Sequence, residues 1–229
     1  MHILGINFSN DAAASLVSDG RVVAACQEER FRRQKHYAGF PSMAIDFCLK
    51  AGGIQFEDVD TIAFFWNPGV HAEATARESR APRHHLEFLY NVPNLLLTGW
   101  MNGQAVEGLT QELRLETGKT VRIEYVTHHL AHAASAFYRS NLSEAAFLTV
   151  DGYGERSSAT WGTAIDTKFE TLGRVEFPHS VGSLYAAVTQ YLGFRANNGE
   201  GKVMGLASYG KPSEHLDRLR HMVTLHSDG

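Results

Sequence analysis

The chain carries one plan twice: an apolar strand, a polar loop, a second strand, a tight turn and a third strand. In the first copy, residues 3–7 form a short apolar strand, the loop FSND follows, and residues 12–17 read AAASLV. Ser18-Asp19-Gly20 is then the turn, because Asp-Gly accepts the positive φ angles of a tight hairpin. Residues 21–26 return as the third strand. In the second copy, residues 145–150 run into the loop Asp151-Gly152-Tyr153-Gly154-Glu155, and residues 158–165 and 171–177 follow around a polar turn. The copies share little sequence, so the repeat is architectural.

Helical patterns separate the strands and make the fold class α/β. Pro41 opens a helix with Ala44, Phe47, Cys48 and Ala51 on one face, and Gly52-Gly53 stops it. Residues 59–66 are a dense apolar run of buried-strand length, and 121–126 alternate as a strand. Between them, from about residue 67 to 120, the pattern is weak. His84-His85 and the arginines at 77, 80 and 83 read there as a solvated face. A helix is expected over 183–192, then a loop, NNGEGK, and a charged helix within 213–226. The expected division is a first subdomain, 1–142, and the start of a second, 143–229. On this plan the second copy is cut short, and the chain is expected to be a fragment.

Composition excludes some partners. A formal charge of −4 does not supply the concentrated positive field that nucleic acid or an anionic membrane requires. No apolar run approaches membrane-spanning length, and MHILGINFSN lacks the pattern of a secretory signal. Cys26 and Cys48 have no CxxC spacing, which points to a reducing, cytoplasmic setting.

Three histidines fall within five residues in THHLAHAASAF, from Thr127. On a helix, His128 and His132 share a face at i,i+4, and His129 and His132 do so at i,i+3, each pair close enough to hold one ion. Spacing does not choose between them. Asp151 ends a strand, where α/β folds gather their ligands, and a carboxylate with two imidazoles suits zinc or iron(II). Gly152 and Gly154 allow close approach of backbone N–H groups to a phosphate, and equally serve a plain turn. Lys202, in a glycine-flanked loop, is placed to reach a phosphate, although the GxxxxGK[ST] spacing is absent. The run from Glu28 to His36 mixes both signs and reads mostly as a solvated face, with a basic residue available to an anionic substrate.

Taken together, these motifs resemble the NodU/CmcH-type O-carbamoyltransferases. The resemblance rests on LGIN, DAAASLVSDGRVVAACQEERFRRQKHYAGFPSMAIDFCL, HHLAHAASAF, LTVDGYGE, GSLYAAVTQYLGF and NGEGKVMGLASYGKP, in that order. It implies an actin-like ATPase (ribonuclease H-like) fold, a duplicated hairpin-and-helix unit related to the tRNA threonylcarbamoyltransferases. It further implies that a YrdC-like C-terminal domain makes carbamoyl-adenylate from carbamoyl phosphate and ATP with magnesium. The N-terminal part then passes the carbamoyl group to a hydroxyl of a small acceptor, often an antibiotic precursor or glycan.

By position, the resemblance assigns the metal, iron(II) or zinc, to His128, His132 and Asp151. It gives Lys35 contact with the intermediate, while Asp11, Gly152, Gly154 and Lys202 are the expected substrate- and phosphate-binding residues. Asn10 stands where many relatives have a histidine, and an amide cannot carry a proton as a general base does. A further aspartate ligand, a Gly-Gly adenosine loop and the YrdC-like domain belong to the family and are not found here. The fragment alone is therefore expected to turn over poorly or not at all, and an uncovered core face would favour a homodimer or aggregation. A magnesium-dependent kinase-like ATPase and a non-catalytic assembly module are the competing readings.

Overall fold

The computed structural model describes residues 1–9, 11–70 and 109–224. It divides into two compact units, Met1–Ala136 and Phe137–Gly229.

In the first unit, β1 (His2–Asn7), β2 (Ala13–Ser18) and β3 (Arg21–Gln27) form the expected antiparallel meander. Asp19 and Gly20 close its hairpin with φ of 47° and 76°, the positive values that tight turn requires. α1 (Glu29–Arg32) and α2 (Ser42–Gly52) lead to β4 (Thr61–Phe64), β5 (Thr110–Arg114), β6 (Thr120–Tyr125) and α3 (His128–Phe137). The six strands lie in the order β3-β2-β1-β4-β6-β5, with β4 parallel to both β1 and β6. A meander extended by parallel strands is the ribonuclease H-like plan of the actin-like ATPases. β5 was not anticipated: TQELR carries almost no apolar signal, and it forms because β6 offers it an antiparallel edge.

One face of the sheet packs on α2. Leu4, Ala14, Leu16, Ile62 and Val121 meet Ala44, Ile45, Cys48 and Leu49 there. The buried stripe of α2 is thus offset from the expected one: Phe47 is exposed and rests on Phe31, with ring centroids 5.7 Å apart. Gly53 ends the helix in the left-handed conformation, with φ of 65°. Both cysteines are free. Burial raises the pKa of the Cys48 thiol, and its Sγ contacts the Ala14 carbonyl at 3.5 Å. Because thiolate is the reactive form, alkylation near about pH 8 should modify Cys26 first and Cys48 only on unfolding, which a peptide mass map would check.

The second unit holds a separate antiparallel sheet of β7 (Glu144–Val150), β8 (Ser157–Ile165) and β9 (Lys168–Glu176). α4 (Val181–Tyr191), α5 (Glu200–Ala207) and α6 (Leu216–Arg220) follow. NNGEGK was expected as loop throughout, but its last three residues open α5. Glu200 Oε1 accepts from Asn197 N at 2.7 Å, Lys202 N donates to Gly199 O at 2.9 Å, and Val203 is buried. Among the described residues no helix is long and apolar enough to cross a membrane.

Candidate functional site

Strands β1, β4 and β6 run parallel, so their carboxyl ends fall on one edge of the first sheet. That edge is where α/β sheets place ligands. β1 runs out into the loop holding Asp11, β4 into Phe65 and Trp66, and β6 into the histidine helix.

On α3, His129, Ala133 and Phe137 are spaced by four and are 5%, 3% and 6% exposed. That stripe is the buried face of the helix. His128 and His132 occupy the neighbouring face, and their Nε2 atoms approach to 3.0 Å. Phe65 and Trp66 flank His128 at ring-centroid distances of 5.5 and 5.8 Å and limit the rotamers open to it. His129 and His132 have ring centroids 6.5 Å apart, against 4.5 Å for His128 and His132. Spacing leaves both pairs open; in the fold His129 lies on the buried face, and His128 and His132 are the two whose ring nitrogens meet.

The pair fits a metal ion. Two imidazole nitrogens each about 2.05 Å from a tetrahedral ion lie about 3.3 Å apart. A small opening of the observed pair accommodates one.

Asp11 and His36 form an unanticipated pair, His36 Nδ1 to Asp11 Oδ1 at 2.9 Å. Lys35 is exposed on the turn beside it. The Glu28 carboxylate is completely buried, the exception in a segment that is otherwise mostly solvated, with Arg30 and residues 32–36 exposed. It accepts from Ala44 N at 2.8 Å, Met43 N at 3.3 Å and Arg32 Nε at 2.7 Å. Sequence periodicity carries no signal for such a cap, because the acceptor and the helix N-terminus are 16 residues apart. Asn10 lies outside the described residues, as do His84, His85 and the arginines at 77, 80 and 83.

In the second unit, Asp151 begins the loop after β7, and its Oδ1 accepts from Gly152 N at 2.6 Å. Gly154 N donates to Ser157 O at 2.6 Å. Both amides assigned to phosphate therefore hold an internal acceptor and would have to exchange it for a ligand. The loop sits on the first turn of α4. The Ser180 hydroxyl donates to Gly152 O at 2.6 Å and accepts from Ser183 N at 2.9 Å. Lys202 stands on α5, exposed, rather than in the glycine-flanked loop expected for it.

Gly182 permits this close seat, since a Cβ there would lie 2.5 Å from the Asp151 carbonyl oxygen. Gly182→Ala should destabilise by about 1–3 kcal/mol, because backbone meets the added methyl. Gly205→Ala, where a Cβ meets nothing, should stabilise by about 0.5 kcal/mol. Paired thermal melts check the opposite signs.

A family profile described as "Carbamoyltransferase N-terminus" matches residues 2–228. The uncharacterized protein sll1178 of Synechocystis is 39% identical over all of this chain and 38% of its own length. Nodulation protein NolNO of Sinorhizobium fredii is 35% identical over 97% of this chain and 31% of its own length. The chain thus spans about a third of the length of the curated relatives it matches. Among solved structures, YeaZ from Pseudomonas aeruginosa is 15% identical with a TM-score of 0.37, covering 78% of this chain and 68% of that one.

Proposed function

We propose, from the premise that this chain belongs to the carbamoyltransferase N-terminus family, that it supplies the acceptor side of a site moving a carbamoyl group onto a small-molecule hydroxyl. The donor is carbamoyl-adenylate, made from carbamoyl phosphate and magnesium-bound ATP by a YrdC-like domain of the natural protein. The acceptor belongs to natural-product or glycan biosynthesis. The reaction takes place in the cytoplasm, in keeping with two free thiols.

The observation that supports this reading most directly is the His128–His132 pair, two imidazole nitrogens 3.0 Å apart at the carboxyl edge of the parallel strands. These two residues and Asp151 would hold iron(II) or zinc. Bound there, the ion would draw negative charge from the donor's phosphate and ease its departure.

The chain's own residues do the rest. Phe65 and Trp66 fix one imidazole, while His129, turned to the buried face, anchors the helix carrying both. Lys35 offers a mobile ammonium to the oxyanion that develops on the carbamoyl group, and Lys202 offers another to phosphate. Holding acceptor and carbamoyl carbon together removes the entropic part of the barrier.

The test is carbamoyl transfer by the natural full-length polypeptide given carbamoyl phosphate and ATP, read as a carbamate on the acceptor by mass spectrometry. Formation of a phosphorylated acceptor would instead establish the kinase-like reading. Absence of any covalent product, with binding intact, would favour an assembly module.

A further inference from the structure

Asp11 and His36 are both held in the left-handed backbone region, with φ of 61° and 54°. Few non-glycine residues enter that region, Asp and His more readily than most, and surrounding contacts hold these two there. Those contacts are visible. Ala12 N donates to Tyr37 O at 2.8 Å and ties the loop after β1 to the loop after α1. His36 N donates to the Glu29 carboxylate at 3.0 Å, and Asn7 Nδ2 donates to Asp11 O at 3.3 Å. Arg32 lies over the Tyr37 ring, 4.7 Å from its centroid, and holds the same loop from α1. Two loops from separate parts of the chain are thus locked together with one result: a carboxylate on Nδ1 of an imidazole.

A carboxylate at Nδ1 selects the tautomer with the proton on that nitrogen, leaving the Nε2 lone pair free to accept another. The side chains of His36 and Asp11 are 40% and 45% exposed, so a substrate can reach the ring. The charged groups facing His36 are Asp11 from the first loop, Glu29 from α1 and the adjacent Lys35. The pair follows β1, and the histidine helix follows β6, on the same edge of one sheet.

We infer that His36, oriented by Asp11, is the proton acceptor for the attacking hydroxyl, an inference that rests on the carbamoyl-transfer reading. In the step, the acceptor's O–H bond breaks and its proton passes to His36 Nε2. The hydroxyl oxygen bonds to the carbamoyl carbon, and the carbon–oxygen bond to the donor's phosphate breaks, its electron pair leaving on phosphate. The imidazolium then gives its proton to solvent. Asp11 acts as a positioning residue.

The experiment uses the natural full-length polypeptide with carbamoyl phosphate and ATP, and two probe nucleophiles. Glycerol presents a hydroxyl that requires a base, and hydroxylamine attacks without one. His36→Gln should slow transfer to glycerol on the order of 10²-fold and remove the acid limb of its pH profile, leaving transfer to hydroxylamine unchanged. The sign follows from the role, since a base must be neutral and the rate therefore rises with pH until the ring is deprotonated. Asp11→Asn, which keeps the ring but frees its tautomer, should give a smaller loss in the same direction. In the wild type, nitrogen-15 spectra of the His36 ring should show the proton on Nδ1.

A His36→Gln protein with wild-type rates and an intact acid limb overturns the inference while leaving carbamoyl transfer standing. Equal loss with both nucleophiles also overturns it, by marking a structural role. If His36→Gln fails to fold, Asp11→Asn decides through the glycerol pH profile alone. A wild type that carbamoylates neither probe overturns the functional reading itself, and the base assignment with it.

Discussion

Alanine at both His128 and His132 is expected to abolish stoichiometric zinc or iron(II) binding and, in the natural protein, carbamoyl transfer. The affinity loss should be at least on the order of 10²-fold, because even partners outside the coordination shell are worth about 10–100-fold. The fold should survive: His132 is exposed and His128 only half-buried, so neither truncation opens a core cavity. His129→Ala is the informative contrast. That ring is 5% exposed on the face shared with Ala133 and Phe137, so its loss should cost about 1–3 kcal/mol with metal binding retained. Metal analysis and thermal melts on the two variants separate the roles. Metal retained by the double variant but lost from His129→Ala would sink the assignment.

Glu28→Ala should be the most damaging single change in the first unit. The wild-type carboxylate is completely buried and caps α2, whose own N-cap position, Pro41, offers no side-chain acceptor. Alanine would leave the Met43 and Ala44 amides and the Arg32 guanidinium without that acceptor at once. Breaking a buried charge pair costs about 3–5 kcal/mol, and the 36% exposure of Arg32 places this case at or below the lower figure, about 3. For a chain of this size that corresponds to a melting-temperature drop of roughly 6–12 °C.

The damage should extend to function. Arg32 packs on Tyr37, and Tyr37 O accepts from Ala12 N, so the loops carrying Lys35 and the Asp11–His36 pair lose their anchor. Glu28→Gln keeps the shape and one acceptor oxygen and should cost distinctly less. Equal melts for the Ala and Gln variants would show that the carboxylate's second oxygen and its charge contribute nothing.

Local and periodic features were legible in the chain itself. The Asp19-Gly20 turn, the two three-stranded meanders and the apolar run into β4 follow from backbone preferences and alternation, which act over a few residues. The i,i+4 relation of His128 and His132 is a property of any helix, and ordered motifs along the whole chain pointed to the carbamoyltransferases before any coordinates. Features set by distant partners were not legible. β5 exists because β6 presents an open edge, since TQELR has little apolar character of its own. The last three residues of NNGEGK turned helical where its glycines suggested a loop, because Glu200 satisfies the Asn197 amide and Val203 finds a buried seat.

The candidate site divides along the same line. Residue types and spacing offered the three histidines and Asp151 as donors, since ligand chemistry depends on which atoms a chain offers, and the resemblance to the carbamoyltransferases named His128, His132 and Asp151 among them. That His129 lies on the buried side of α3 was not legible, because it depends on what the helix packs against. The Asp11–His36 pair is 25 residues apart in sequence and 2.9 Å apart in space. Its members are polar and lie in loops without periodicity, so nothing in their order announces the contact. The pairing of β1 with β2, the Ala12–Tyr37 and His36–Glu29 hydrogen bonds and the buried Glu28 anchor bring the two loops together. Sequence could name the donors, and folding in three dimensions assigned them partners.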